Sequence, residues 1–127
     1  MYFQCSQKGF VINNIVVRKP VLLLPRNFLI WNTLSFEEID VKSLSLFTYL
    51  YPTLEILIVG CGKTPKNRLP REVREYFQLR GIVVEQMDSV NAVQTFNVLI
   101  SEGRNVGAAV IPPFPIQEEE FDPSMFN

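Results

Sequence analysis

The sequence contains no histidine. That absence removes the imidazole from each of its usual roles: general base near neutral pH, partner of a nucleophilic serine or cysteine, and metal ligand. Cysteine is nearly as scarce, with Cys5 and Cys61 the whole complement. Two thiols so far apart form neither a disulfide framework nor a zinc or iron–sulfur ligand set, and the usage fits a reducing compartment. No apolar run approaches the ~20 residues of a membrane-spanning helix. Net charge is also small, with 12 bases against 13 acids. The broad basic footprint of a nucleic-acid binder is therefore missing. Met1-Tyr2-Phe3-Gln4 has neither the layout of a signal peptide nor that of an Arg/Ser-rich mitochondrial presequence.

What is present is globular material: 127 residues, 47% apolar and 20% charged. This is enough for one domain with a real core. The charge is unevenly placed. Residues 114–127 hold Glu118, Glu119, Glu120 and Asp122 and no base. The division expected is a single domain over 1–113 and an acidic, Pro- and Phe-containing tail over 114–127. Mixed acids and aromatics also suit docking as a short peptide on a partner.

The stretch that organises the chain is Leu54-Glu55-Ile56-Leu57-Ile58-Val59-Gly60-Cys61-Gly62. A continuous β-branched run closed by glycines reads as a strand buried on both faces. Similar runs follow at 82–87 and 106–111. Between them, Pro70 suits the first position of an amphipathic helix over 71–80, with Val73, Tyr76 and Phe77 inward and Gly81 as its left-handed cap. A second helix over 90–102 has an apolar stripe of Ala92, Val93, Phe96, Leu99 and Ile100, and Gly103 ends it. Strand, helix, strand, helix, strand predicts a parallel βαβαβ unit.

The front of the chain reads differently. Asn13-Asn14 suits a tight turn between Gly9–Ile12 and Ile15–Val17. Val21 to Leu24 and Phe28 to Trp31 follow as short strands punctuated by Pro20 and Pro25. Residues 1–8 read as polar and receive no element. The fold class expected is α/β: one domain, a mixed sheet with an antiparallel N-terminal hairpin layer, and helices packed on the sheet.

Two helical surfaces draw notice. Asp40 is a plausible N-cap for a helix from Val41 to about Leu50, whose Leu44, Phe47, Tyr49 and Tyr51 cover more than one face. Such a helix is either buried in its own domain or pressed against a partner. The second helix carries Asn91, Gln94, Asn97 and Ser101 where a solvated face normally carries Lys and Glu. A face of amides and hydroxyls fits partial burial, bonded to a neighbouring loop or to a partner.

The turn Gly60-Cys61-Gly62-Lys63, with Asp88, is the one candidate for a ligand. A P-loop needs Gly-x-x-x-x-Gly-Lys-Ser/Thr, and the first glycine position holds Leu57. A dinucleotide fingerprint needs glycine at 65, which is Pro65. Sharp turning at the strand end explains the glycines. The carboxyl end of a strand in an open α/β sheet still leaves a small-anion or small-molecule site, or an enzyme built on it, as the alternative reading. Cys61 there has no neighbouring base in sequence. Glu55, Glu85 and Asp88 read as caps and rims, and Trp31 as an aromatic at the core's edge. No cofactor or metal is expected.

Several stretches together resemble one family. They are Val21-Leu22-Leu23-Leu24-Pro25 with Trp31-Asn32, Ser43 to Phe47, Glu55 to Gly62, Val84 to Ala92 with Thr95-Phe96-Asn97, Glu102-Gly103-Arg104, and Ala108 to Pro113. In this order they are similar to the mitochondrial complex I alpha-subcomplex assembly factor 3 family and its small bacterial and archaeal relatives. Cys61 departs from the Thr common there, and Val93 from a frequent Cys. The resemblance implies a compact α/β domain and a non-enzymatic role in building respiratory complex I, at the stage of the matrix-side quinone module. It implies complex I assembly factor 4 and early peripheral-arm subunits as partners, at the matrix face of the mitochondrial inner membrane. It brings no catalytic residue.

Overall fold

The computed structural model describes residues 3–6, 9–33, 35–63 and 68–113. The acidic segment 114–127 and most of the loop after Lys63 lie outside the described residues. Eight strands run in chain order: β1 (Phe3–Ser6), β2 (Gly9–Ile12), β3 (Ile15–Val17), β4 (Val21–Leu23), β5 (Phe28–Ile30), β6 (Ile56–Cys61), β7 (Val83–Met87) and β8 (Val106–Ile111). Helix α1 (Arg71–Gln78) links β6 to β7, and α2 (Ser89–Ser101) links β7 to β8.

The strands form two sheets, a three-stranded β1-β2-β3 and a five-stranded β5-β4-β8-β6-β7. The pairings β6–β7 and β6–β8 are parallel, as the βαβαβ pattern requires, while β4 runs antiparallel to both β5 and β8. The antiparallel layer expected for the first quarter is thus divided. Its first hairpin belongs to its own sheet, and β4 and β5 extend the central one. The β2–β3 turn is made by Asn13 and Asn14 at φ of 50° and 68°. Left-handed φ at both central residues is the geometry that matches strand twist in a two-residue hairpin.

Side chains alternate across the central sheet and bury on both sides. Leu57 and Val59 of β6, with Leu22, Ala109 and Ile111, meet α1 (Val73, Phe77), Leu44, Phe47 and Trp31. On the opposite face Ile58, Val21, Leu23, Ala108 and Val110 meet α2 (Ala92, Val93, Phe96) and the inward residues Phe3, Phe10 and Ile12 of the small sheet. All six residues of β8 are buried. The result is three layers, with the five-stranded sheet in the middle.

Three expectations are corrected. Residues 3–6 are a strand, pairing antiparallel with β2 through Phe3↔Ile12 to Ser6↔Gly9. Four residues are too few to show a period of two, and α2 supplies the ordering contact. The Asn97 side chain accepts from the Phe3 N–H at 3.2 Å and donates to the Phe3 carbonyl. Phe3 and Phe96 stack edge to face with centroids 5.4 Å apart. Second, the helix expected over 41–50 is a 3-10 helix over Lys42–Thr48, preceded by a short one over Phe36–Glu38. The serines and threonine bind nearby carbonyls, Ser45 to Lys42 O and Thr48 to Ser45 O, which favours the tighter winding. The N-cap position of this helix is Val41 and not the expected Asp40, which stands one residue earlier and accepts from the Ser43 N–H at 2.7 Å. Third, α1 begins at Arg71, and Pro70 stands just outside it at ψ 141° while its carbonyl receives the first helical bonds.

Gly107 positions the 3-10 layer. A Cβ built there would meet Phe47 ring carbons at 2.6 and 2.8 Å and Leu54 at 2.9 Å. The Phe47 ring therefore lies against bare backbone. Gly107→Ala is expected to destabilise the chain by about 1–3 kcal/mol through overpacking. Gly107→Ala combined with Phe47→Leu should cost less than the sum of the two single changes, because the smaller side chain vacates the clash. Urea unfolding of the four proteins of this cycle measures the coupling, and strict additivity would refute the contact.

Candidate functional site

The carboxyl end of β6 was the candidate ligand turn, and the backbone groups of Gly62 there are bonded internally. Ser89, the first residue of α2, is buried and hinges the whole end. Its hydroxyl accepts from the Gly62 N–H at 2.8 Å and donates to the Ile111 carbonyl, while its own N–H donates to the Gly62 carbonyl at 2.8 Å. One side chain so joins the ends of β6 and β8 to the start of α2. An anion at this turn would want the Gly62 N–H, which is already given to Ser89. Gly60 is a packing glycine, since a Cβ there would meet Val110, Ala92 and Ser89 at 3.0 to 3.1 Å.

Of the other members, Cys61 and Asp88 are also engaged internally. The Cys61 thiol donates to the Met87 carbonyl at 3.1 Å, and burial pushes its pKa up, so it is held as a thiol. Cys5 is pushed up to about 12, again by burial. Lys63 is exposed. Asp88 is the N-cap of α2, accepting from the Asn91 N–H at 3.1 Å and from the Asn91 side-chain amide at 2.6 Å. Burial opposes its ionisation, yet the bonds from Asn91 outweigh it and hold the carboxyl below its usual range. A carboxylate already occupies the positive end of the helix. Among the described residues no three His, Cys, Asp or Glu side chains cluster as a metal site.

The candidate partner surfaces divide once built. Leu44 and Phe47 are turned into the core and contribute no surface. Tyr49 is 80% exposed and Tyr51 97% exposed at the end of the 3-10 helix. On α2, Asn91, Gln94 and Ser101 are exposed, whereas Asn97 is spent on Phe3. Asn91 is likewise engaged with Asp88, and Ser101 with the Val98 carbonyl.

The exposed apolar residues that escaped the sequence reading are Ile15, Val16, Leu29 and Ile30 on the short strands, and Leu79, Val83 and Val98. Leu79 is 85% exposed, and Val83 and Val98 are each 54% exposed. Leu79 was legible, because it follows Glu72 and Glu75 at helical spacing on the face opposite Val73 and Phe77. Val98 lies between Gln94 and Ser101 on the outward stripe of α2 and was legible in the same way. Tyr51 precedes β6, Leu79 follows α1 and Val83 opens β7, so each lies toward the amino-terminal end of the parallel strands. There the Asn105 side chain binds the Pro52 and Thr53 carbonyls, and Glu55 accepts from the Asn105 N–H at 2.8 Å and from Arg104 at 3.2 Å. The Asn105 bond foremost, and then Arg104, hold the Glu55 carboxyl below its usual range. Trp31, read as an edge aromatic, is buried and donates its indole N–H to the Ser43 carbonyl at 3.0 Å.

A central mixed sheet sealed on one face by 3-10 turns and α1, and on the other by α2 and a small sheet, defines a protein class. The chain belongs to the DUF498/DUF598 family, described as a protein of unknown function, which matches residues 3–111. Within that class it is similar to NADH dehydrogenase (ubiquinone) 1 alpha subcomplex assembly factor 3. It is 46% identical to the Danio rerio protein over 111 residues, covering 87% of this chain and 63% of that one. It is 45% identical to the Bos taurus protein over 108 residues, covering 85% and 58%. The chain thus spans about three-fifths of the length of these curated relatives. A crystal structure of a Bordetella parapertussis protein has the same fold, with a TM-score of 0.75 and 26% identity, covering 86% of this chain and 92% of that one.

Two consequences can be measured. Ser89→Ala leaves the Gly62 N–H and the Ile111 carbonyl without their partner, and is expected to cost about 1–3 kcal/mol in urea unfolding with an unchanged slope. Asp88 has a folded pKa below its unfolded value of ~3.9, so its stabilisation is present above that pH and lost as pH falls through the folded pKa. Between neutral pH and pH ~3 the wild type should lose stability that Asp88→Asn does not lose. Parallel pH profiles for the two proteins would contradict the assignment.

Proposed function

We propose that this chain is a non-enzymatic assembly factor for mitochondrial respiratory complex I, a binding module that acts on the matrix-side quinone-module intermediate. The observation that carries the reading is its likeness, at about 45% identity over nearly the whole folded body, to proteins named as complex I alpha subcomplex assembly factors. The site chemistry agrees with a module that binds. The backbone groups of Gly62 at the carboxyl-end turn serve Ser89, both thiols are held protonated, and Asp88 serves α2. In this reading the partners are complex I assembly factor 4 and early peripheral-arm subunits, met at the matrix side of the inner membrane. Attachment to the membrane comes through those partners. Among the described residues no helix is long and apolar enough to cross a membrane.

The partner surface in this proposal is drawn from the exposed pair Tyr49 and Tyr51, the exposed Leu79 and Val83, and the uncharged stripe Asn91, Gln94, Val98 and Ser101. Aromatic anchors ringed by polar groups are the usual carriers of interface energy. Asn97 is unsuitable for a test, since changing it would release β1.

The test is affinity purification of the tagged chain from its own mitochondria, with mass spectrometry of the co-eluting proteins. The wild type should recover complex I peripheral-arm subunits and a second assembly factor. Tyr49→Ala/Tyr51→Ala and Gln94→Lys/Val98→Lys are solvent-facing changes that should leave the thermal midpoint in place. Each should reduce recovery by about tenfold or more, ~1.4 kcal/mol. Full recovery by both variants overturns the surface, and absence of complex I subunits from the wild-type eluate overturns the function.

A further inference from the structure

β5 is an outer strand of the central sheet, with β4 on one side and, among the described residues, no strand on the other. The register sorts its backbone groups. Leu22 pairs with Leu29, the Leu24 N–H donates to the Asn27 carbonyl at 2.9 Å, and the Trp31 N–H donates to the Pro20 carbonyl at 2.8 Å. Backbone groups alternate in direction along an antiparallel strand, so those of Asn27, Leu29 and Trp31 face β4. Those of Phe28 and Ile30 face the open side. The side chains at this edge are apolar, with Leu29 43% exposed and Ile30 53% exposed.

Protein sheets normally blunt such an edge with charge, proline or a covering element. The other three edges of the two sheets are treated in that way. On β1 the Phe3 N–H and carbonyl are both engaged by Asn97 of α2. β3 is three residues long and runs into Arg18, Lys19 and Pro20. β7 carries the exposed Glu85 at its centre. The β5 edge has no charge and no proline from Asn27 to Asn32, and residues 27–31 are held alongside β4.

This edge is complementary to itself. Two antiparallel copies of β5 related by a twofold axis at Leu29 set Phe28 of each against Ile30 of the other. These are the residues with outward backbone groups, so four N–H···O bonds form, and Leu29 faces its copy in the close, unbonded pair between them. Opposed side chains share a face of the sheet. Leu29 therefore meets its copy on the face of Leu22, and Phe28 meets Ile30 on the face of Val21 and Leu23. Arg26, the nearest charge, falls opposite Asn32 and not opposite itself. The same operation on β7 would set Glu85 against Glu85, which like-charge repulsion disfavours.

We propose that β5 is a self-pairing edge whose occupant is β5 of a second copy of this chain, joining two five-stranded sheets into one of ten. Four backbone bonds and three apolar pairs lie at the small end of specific interfaces, so the dimer is transient, with a Kd on the order of 10–100 μM. β5 is no part of the surface assigned above to assembly partners, and the proposal stands independently of that reading.

The test is sedimentation velocity of the full chain over about two decades of concentration centred on that range. The weight-average mass of wild type should rise toward that of two chains. Leu29→Lys and Leu29→Glu each place like charges at the axis, and each should weaken the dimer by about tenfold or more. Mixed in equal amounts, the two variants should associate again, because Lys then faces Glu. Leu79→Lys, a change at an exposed residue elsewhere, should leave association at wild-type strength. An unchanged thermal midpoint of each variant in dilute solution checks its fold. A wild type that stays monomeric throughout overturns the second copy as occupant, in favour of a strand from another protein. A dimer indifferent to Leu29→Lys overturns the proposal too, as does a mixture that associates no more tightly than its components.

Discussion

A strand buried at every position, and paired on both edges, has to accept neighbours on four sides. β8 is that strand, with β4 antiparallel on one edge and β6 parallel on the other. Its Gly-Ala-Ala core leaves the space that larger residues on the adjoining layers fill. Phe47 and Leu54 press on Gly107 from one face, and Ala108 and Val110 meet the α2 side from the other. Small residues in the central strand therefore decide how close the 3-10 layer comes. That distance decides in turn where the chain emerges at Tyr49 and Tyr51. The exposed aromatics are presented by a packing constraint two layers below them.

Long-range polar bonds do the rest of the joining, and each is made by a single side chain. Ser89 joins the ends of two strands to a helix, Asn97 docks β1 on α2, and Glu55 with Asn105 joins the loops before β6 and β8. Among the described residues no buried side-chain nitrogen or oxygen lacks a partner. Polar groups that a sequence reader would nominate for chemistry, such as Asp88 and the Gly60–Gly62 turn, are occupied in these joints. Satisfied polar groups of this kind specify the arrangement of the elements they join.

Much of this was legible because burial on two faces writes itself as a continuous apolar run. The runs at 56–61 and 106–111 read as buried strands, and the Asn13-Asn14 pair favoured its hairpin through backbone sterics. What stayed hidden depended on residues far apart in the chain. Phe3–Ser6 is too short to show a period and becomes a strand through Asn97, ninety-four residues away. The segment 42–48 has helical spacing, but its hydroxyls compete for carbonyls and tighten it. Of the surface residues nominated there, Leu44 and Phe47 were indistinguishable from Tyr49 and Tyr51 by apolarity alone, and only the folded chain shows which of them face inward. Gln94 stayed outside while Asn97 did not, a difference of three positions that spacing on one helix cannot resolve without knowing where β1 lies.

The order of strands in the central sheet has a temporal meaning. The sheet reads β5-β4-β8-β6-β7, so its middle strand is the last of the described strands to be synthesised. Until residue 111 is free, the β4–β5 pair and the β6–β7 pair have no strand to join them, and each shows an open edge. A growing chain of this kind cannot bank its stability in stages. It has to be shielded until the end and then closes as a unit, with Ser89 engaging Ile111 in the same event that fills the gap.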